Sequence, residues 1–215
     1  ARLKFKNDNR AGIDRYILSL NPGLIVTGIS SNGKALDFKR INHIIEIDRG
    51  KILQSGEADS LTVTYSGTID ENFCFPDHTE SYKESPYRME MLNVNKRQAF
   101  LEDEYVLLTP ETHWYPVPGL NYYPSNPARI KVDFTRFSLR VKTDSRLIPV
   151  AQGIMKKEDE TYIFENEVPL TGLTLAIGDY RSDTLTVDSI KYFTFYFPEN
   201  DYYKNKDKEV NIFVL

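Results

Sequence analysis

The sequence predicts an all-β fold, a large antiparallel β-sandwich with one short helix in a long mid-chain insertion. Three observations support this prediction. About ten short runs alternate apolar and polar residues, which is typical of half-buried strands. Turn signals rich in Gly, Pro, Asn and Asp separate these runs at short intervals. Residues 105–127 are dense in Pro and aromatic side chains and hold the only Trp of the chain, a composition that excludes a helix or a central strand.

The first third of the chain is patterned for antiparallel strands. Asn32-Gly33 lies between two apolar runs and is a strong hairpin signal. Asn21-Pro22-Gly23 is predicted to form a turn, and the polar residues 51–59 are predicted to connect two strands. The runs predicted as strands are 2–6, 14–20, 24–30, 35–41, 43–48 and 61–65.

The alternation breaks after Asp70 and resumes beyond the aromatic stretch. Ser85-Pro86 resembles a helix N-cap followed by Pro at the first helical position, which predicts a short helix over residues 86–98. The second half is again strand-like, with aromatic residues on both faces of a run that is predicted to be covered on both sides at its C-terminal end. The later predicted strands are 130–141, 149–153, 161–164, 173–177 and 185–197.

The domain organisation follows from these patterns. Residues 1–200 are predicted to form one β-sandwich domain. Residues 201–215 are charged at first and then apolar, and they are predicted to be a linker toward a missing following domain.

Composition excludes several classes of protein. The net charge of −4 and the lack of a Lys/Arg block argue against nucleic-acid binding. The chain has one cysteine, Cys74, which excludes an internal disulfide framework and a Cys-based zinc cluster. Its setting between two Phe residues predicts a buried, inert thiol. No apolar run reaches the length of a membrane-spanning helix, so no membrane contact is expected from this segment itself.

No residue pattern for catalysis is found in this chain. Its three histidines, His43, His78 and His113, are far apart in sequence, whereas a zinc peptidase places two His one helical turn apart in HExxH. GxSxG and Gly-rich phosphate loops are also missing. The acidic runs 102–104 and 158–160 are predicted to be solvated surface. The chain is therefore predicted to have no catalytic residue, no metal site and no cofactor of its own.

The aromatic stretch is the one candidate for binding, and two interpretations are open. Trp114 and Tyr115 are predicted either to plug one end of the sandwich or to form one wall of a cleft for a peptide or partner. Composition alone does not decide between these interpretations.

The order of several segments resembles a known family. YILSLNPGLIVTGIS, HIIEID and SGEADSLTVTYSGTI are followed by LLTPETHWYPVP, VDFTRFSLRVKTDSRLIPVAQG and LTLAIGDY. Over residues 14–197 this order is similar to the N-terminal β-sandwich domain of the M1-family (gluzincin) zinc aminopeptidases. LLTPETHWYP is similar to a bacterial subgroup in which an M1-like region is fused behind an ABC-transporter permease.

The resemblance implies a role without chemistry of its own. HExxH, the more distal Glu and the Gly-x-Met-Glu-Asn segment of the family are absent from this chain, so zinc is expected only in a following catalytic domain. That domain of the same chain is the expected partner, and a peptide is the expected substrate. The family's N-terminal domain usually contributes a Gln that holds the substrate amine. No Gln lies at 105–109, which makes Glu111, together with Trp114 and Tyr115, the substrate-binding candidates.

Two other functions stay open at this point. One is a stand-alone β-sandwich module that binds a peptide, protein or carbohydrate on an aromatic loop built from Trp114, Tyr115, Tyr122 and Tyr123. The other is an M1-like domain without peptidase activity, which serves as an extracytoplasmic sensing part of a bacterial transporter.

Overall fold

The structure is a computed structural model that describes residues 1–74, 99–119 and 133–199. These residues form strands β1 to β17 and two short 3-10 helices, which confirms the all-β, antiparallel class. The helix predicted over 86–98 and the linker predicted over 201–215 lie outside the described residues. Within the described ranges, no helix has the length and apolarity needed to span a bilayer.

The described residues fall into two compact units. One is drawn from Ala1–Ala99 and Leu108–Asp133, the other from Phe100–Leu107 and Phe134–Leu215. The domain boundary at residue 200 stays a prediction. The strands of the first unit are β1 (Arg2–Lys6), β2 (Ile13–Ser19), β3 (Leu24–Ser31), β4 (Lys34–Ala35), β5 (Phe38–Ile41), β6 (Ile44–Leu53), β7 (Ala58–Gly67) and β10 (Val117–Pro118).

The first unit is a sandwich of two four-stranded sheets, with strand orders β1-β7-β3-β4 and β10-β2-β6-β5. Alternate residues of both sheets are buried, among them Leu18 on β2, Ile45 on β6 and Val63 on β7. The rings of Phe5 on β1 and Tyr16 on β2 meet edge to face, with centroids 4.9 Å apart. The two sheets therefore share one apolar core.

The hairpin signal at Asn32-Gly33 is confirmed, but its second arm differs from the prediction. Both residues have positive φ, 50° and 78°, as a two-residue hairpin turn requires. The predicted strand 35–41 is divided between the two sheets, because Lys34–Ala35 pairs with β3 whereas Phe38–Ile41 pairs with β6. The connection predicted over 51–59 is shorter in the structure, because β6 continues to Leu53 and β7 begins at Ala58.

A buried carboxylate links the two sheets. Asp59 on β7 accepts hydrogen bonds of 2.8 Å from the Tyr16 hydroxyl, Arg49 Nε, Ser31 Oγ and the Ser60 amide. Its side chain is 4% exposed, and that of Arg49 is 13% exposed. Burial acts to raise the pKa of Asp59, but the hydrogen bonds from Arg49, Tyr16 and Ser31 bring it down to about 2. Burial and Asp59 raise the pKa of the Tyr16 phenol.

The second unit contains sheets in the orders β11-β14-β13 and β12-β15-β9-β8, and the ribbon β16-β17. Its strands are β8 (Ala99–Leu101), β9 (Tyr105–Leu108), β11 (Ser138–Val141), β12 (Ile148–Ala151), β13 (Ile154–Glu158), β14 (Thr161–Glu165), β15 (Leu175–Gly178), β16 (Arg181–Val187) and β17 (Ile190–Tyr196). The terminal residues Ala99 and Leu108 of β8 and β9 group with the first unit.

The prediction of one strand over 185–197 is wrong. Asp188 and Ser189 have φ of 47° and 69°, and two successive left-handed residues form a tight hairpin turn. The run is therefore the end of β16, the turn and β17 of a hairpin. Phe193 is 56% exposed, whereas Phe195, Tyr196 and Phe197 at the C-terminal end of the run are half-buried.

Candidate functional site

The candidate site is built on residues 108–119, here called the aromatic segment. Pro110–Thr112 form a 3-10 helix, which starts where the fixed φ of Pro suits the first helical position. Thr112 Oγ1 donates to the Thr109 carbonyl at 2.7 Å. His113 follows in the left-handed conformation, with φ 50°, and turns the chain toward β10. The Gly119 amide then donates to the Ile17 carbonyl at 2.8 Å.

Asn21 anchors this segment to the sandwich. Its side chain is fully buried, and Nδ2 donates to the carbonyls of Thr112 at 3.0 Å and Asp70 at 3.1 Å. Oδ1 accepts from the amides of Gly23 at 3.0 Å and Asp70 at 2.7 Å. The Asn21 amide also donates to the His113 carbonyl at 2.9 Å. The Asn-Pro-Gly signal, predicted only as a turn, therefore joins three separate segments of the chain.

Arg40 holds the same turn from the side of β5. Its guanidinium donates to the carbonyls of Leu20 at 3.2 Å, Asn21 at 2.7 Å and Leu24. Nε donates to the Asn42 carbonyl at 2.8 Å. Partial burial lowers the pKa of Arg40. The main-chain carbonyls around Asn21 are thereby bonded, so the turn that carries the aromatic segment is well fixed.

A row of three rings lies beside this anchor. Phe73 is placed between two imidazoles, with its centroid 5.0 Å from His43 and 5.5 Å from His113. His113 is 7% exposed, and burial lowers the pKa of both histidines. The His43 carbonyl accepts from the Leu20 amide at 2.9 Å. Isolated in sequence, His43 and His113 are thus brought together by the fold.

The sequence-predicted site residues all lie on the aromatic segment. Glu111 is exposed, and Trp114 and Tyr115 are half-buried. The two aromatic rings are edge to face, with centroids 4.9 Å apart and planes at 86°. The Tyr65 hydroxyl donates to the Trp114 carbonyl at 3.3 Å. Trp114 and Tyr115 are therefore partly accessible to solvent, while Tyr122 and Tyr123 lie outside the described residues.

No metal centre is found in the part of the chain that the structure describes. There, no three His, Cys, Asp or Glu side chains are grouped so as to hold a metal ion. His78 lies outside these residues. Asn21, Arg40 and Asp59 were missed by the sequence analysis, since their partners are distant in the chain.

Comparisons with known proteins identify solved structures that share this fold. No protein-family model matches the sequence, and no curated protein matches it. Among solved structures, an M1 zinc metallopeptidase from Deinococcus radiodurans aligns with a TM-score of 0.59 at 18% identity, over 89% of this chain and 41% of that chain. Yeast LTA4 hydrolase in complex with bestatin aligns with a TM-score of 0.59 at 16% identity, over 94% of this chain and 29% of its own.

A third similar structure is aminopeptidase A from Legionella pneumophila, with a TM-score of 0.63 at 10% identity, over 97% of this chain and 23% of that chain. At these identities the similarity shows the fold. The predicted resemblance to M1 zinc metallopeptidases is thus confirmed in the fold, and this chain spans less than half the length of each of these proteins. None of the three is described as a transporter, so the association with an ABC-transporter permease gains no support.

Proposed function

We propose that this chain is the non-catalytic N-terminal domain of an M1-like metalloaminopeptidase, and that the aromatic segment lines one wall of its peptide cleft. The observation that supports this most is the fold match, which covers nearly all of this chain and under half of the Deinococcus radiodurans M1 enzyme. A following catalytic domain of the same chain would then be its partner. That domain would hold the zinc.

Glu111 is the proposed contact for the free amine of a peptide. Its carboxylate is exposed and stands on the 3-10 helix Pro110–Thr112, whose last residue is bonded to Asn21. A carboxylate that accepts hydrogen bonds from an ammonium group forms the strong, charge-assisted kind of bond. Because the backbone beneath it is fixed, little conformational entropy is lost when the amine binds.

Trp114 and Tyr115 are the proposed apolar part of this wall. Their edge-to-face contact fixes both rings, and their half-buried state leaves surface for a ligand. Rigid aromatic side chains of this kind contribute contact area at a low entropy cost.

The test is Glu111→Gln in the full-length parent protein. Loss of a hydrogen bond to a charged group, about 1.5–3 kcal/mol, is expected to raise KM for substrates with a free amine by roughly 10- to 100-fold. The control is Glu158→Gln, because Glu158 is also exposed but lies on β13 of the second unit. A KM for Glu111→Gln equal to that of the control would refute the cleft-wall role.

A stand-alone binding module is the second candidate. The half-buried pair of Trp114 and Tyr115 favours it, because an open aromatic surface also suits a peptide, a protein or a carbohydrate. The two functions differ in one measurement. A module binds its ligand as residues 1–215 alone, with a change in Trp114 emission, whereas a cleft wall needs the following domain.

A further inference from the structure

We propose that the row His43–Phe73–His113 is a proton-sensitive latch, which holds the aromatic segment against the β2–β3 turn while both imidazoles are neutral and loosens it when they take up protons. The proposed latch depends only on contacts within the first unit. It stands whether or not the segment lines a peptide cleft.

The surroundings of the two imidazoles favour their neutral forms. His113 is 7% exposed, and His43 Nδ1 is buried with no hydrogen-bond partner among the described residues. The ring between them is the apolar Phe73, whose plane is tilted by 46° from His43 and by 56° from His113. A cation on the His43 imidazole therefore loses water while its Nδ1 has no acceptor among the described residues, and a cation on His113 is disfavoured by burial.

The same two residues carry main-chain bonds at the β2–β3 turn. The Asn21 amide donates to the His113 carbonyl at 2.9 Å and holds the aromatic segment, and the Leu20 amide donates to the His43 carbonyl at 2.9 Å, next to the pairing of β2 with β6. His113 also sits in the left-handed conformation, between the 3-10 helix and Trp114. We expect a charged His113 ring that moves toward water to shift this backbone and so to weaken the bond to Asn21.

The neighbouring charges act in opposite directions. Burial is the main cause that lowers the pKa of His43, and the positive charge of Arg40 on β5 lowers it further. Burial also lowers the pKa of His113, with His43 adding to it and Glu111 of the 3-10 helix opposing it. The other 3-10 helix, Glu71–Cys74, carries Glu71 in its first turn beside Phe73, and the β2–β3 turn Asn21-Pro22-Gly23 carries no charged side chain.

The sign of the pH effect follows from these directions. The pKa of each imidazole is lower in the folded state than its ordinary value of 6.5. Such an imidazole contributes its full stabilisation of the closed segment when the pH is above 6.5. The contribution is lost as the pH falls through the lowered pKa values. The segment is therefore closed at neutral pH and opens in mild acid.

Amide hydrogen exchange measured by NMR tests the latch directly. Between about pH 7.5 and about pH 5, the span over which histidine charges, protection at Leu20 and Asn21 is expected to fall after correction for the intrinsic exchange rate. The protection of these amides is expected to fall about tenfold for each pH unit by which the pKa of a histidine in the closed segment lies below its ordinary value. The amide of Ile47, a core residue on β6, should keep its protection. Equal protection of Leu20 and Asn21 at both pH values would overturn the proposal.

Three variants assign the effect to these groups. His113→Asn keeps a residue that tolerates the left-handed conformation and should flatten the pH dependence, and His43→Gln should reduce it. Glu111→Gln removes the negative charge that raises the pKa of His113, so it should shift the opening to lower pH. Undiminished opening in both histidine variants would contradict the latch. None of these readouts requires peptidase activity, so the latch and the cleft wall fail independently.

Discussion

Asp59→Ala is expected to lower the free energy of unfolding by about 3–5 kcal/mol, the usual cost of removing one partner from a buried ion pair. The substitution leaves Arg49, whose side chain is 13% exposed, without its carboxylate. It also removes the acceptor of the Tyr16 and Ser31 hydroxyls. Urea denaturation followed by far-UV circular dichroism measures the loss. Asp14→Ala is the control, because Asp14 is exposed on β2 and should change stability by less than about 0.5 kcal/mol.

The loss of stability in acid is an independent test of the role of the Asp59 carboxylate. The pKa of Asp59 falls from 3.8 to about 2 on folding, so its contribution is present above pH 3.8 and is lost as the pH falls through about 2. This difference corresponds to about 2 kcal/mol. The wild-type protein should lose that much more stability than Asp59→Ala over this interval. Parallel pH profiles for the two proteins would show that folding does not lower the pKa of this carboxylate.

Asn21→Ala is expected to cost about 3 kcal/mol or more, because each buried polar group left without a partner costs about 1–3 kcal/mol. The substitution removes the hydrogen bonds that Asn21 makes to Thr112, Asp70 and Gly23. The aromatic segment should then detach, which red-shifts the emission of Trp114, the only Trp of the chain. A control in an exposed loop position is Asn9→Ala. Wild-type stability and emission in Asn21→Ala would mean that the segment is held by other contacts.

The parts of the fold that local chemistry controls could be predicted from the sequence. The left-handed pair Asn32-Gly33 forms the expected turn, and Arg2–Lys6 is a strand with the expected alternation. Asp188-Ser189 was missed as a turn because it lacks the Gly that usually marks one. The division of 35–41 between two sheets was missed because alternation shows which residues face a core, not which strand is the neighbour.

The anchors of the candidate site could not be predicted for a related reason. Tyr16 is 43 positions from Asp59, and Asn21 is 91 positions from Thr112. One sequence does not show which distant polar residues meet in the core. Glu111, Trp114 and Tyr115 could be named because they lie in a single aromatic, Pro-rich run. Their role in binding stays a prediction.

The most direct measurement of the central claim compares zinc content and peptide hydrolysis in residues 1–215 and in the full-length parent protein. If this chain is the non-catalytic domain of a zinc aminopeptidase, the parent holds about one zinc per chain, as catalytic sites of this kind do, and a chelator abolishes its hydrolysis of an aminoacyl reporter. Residues 1–215 alone bind no stoichiometric zinc and hydrolyse nothing. Tightly bound zinc with chelator-sensitive hydrolysis in residues 1–215, or a parent protein that has neither, would contradict this account.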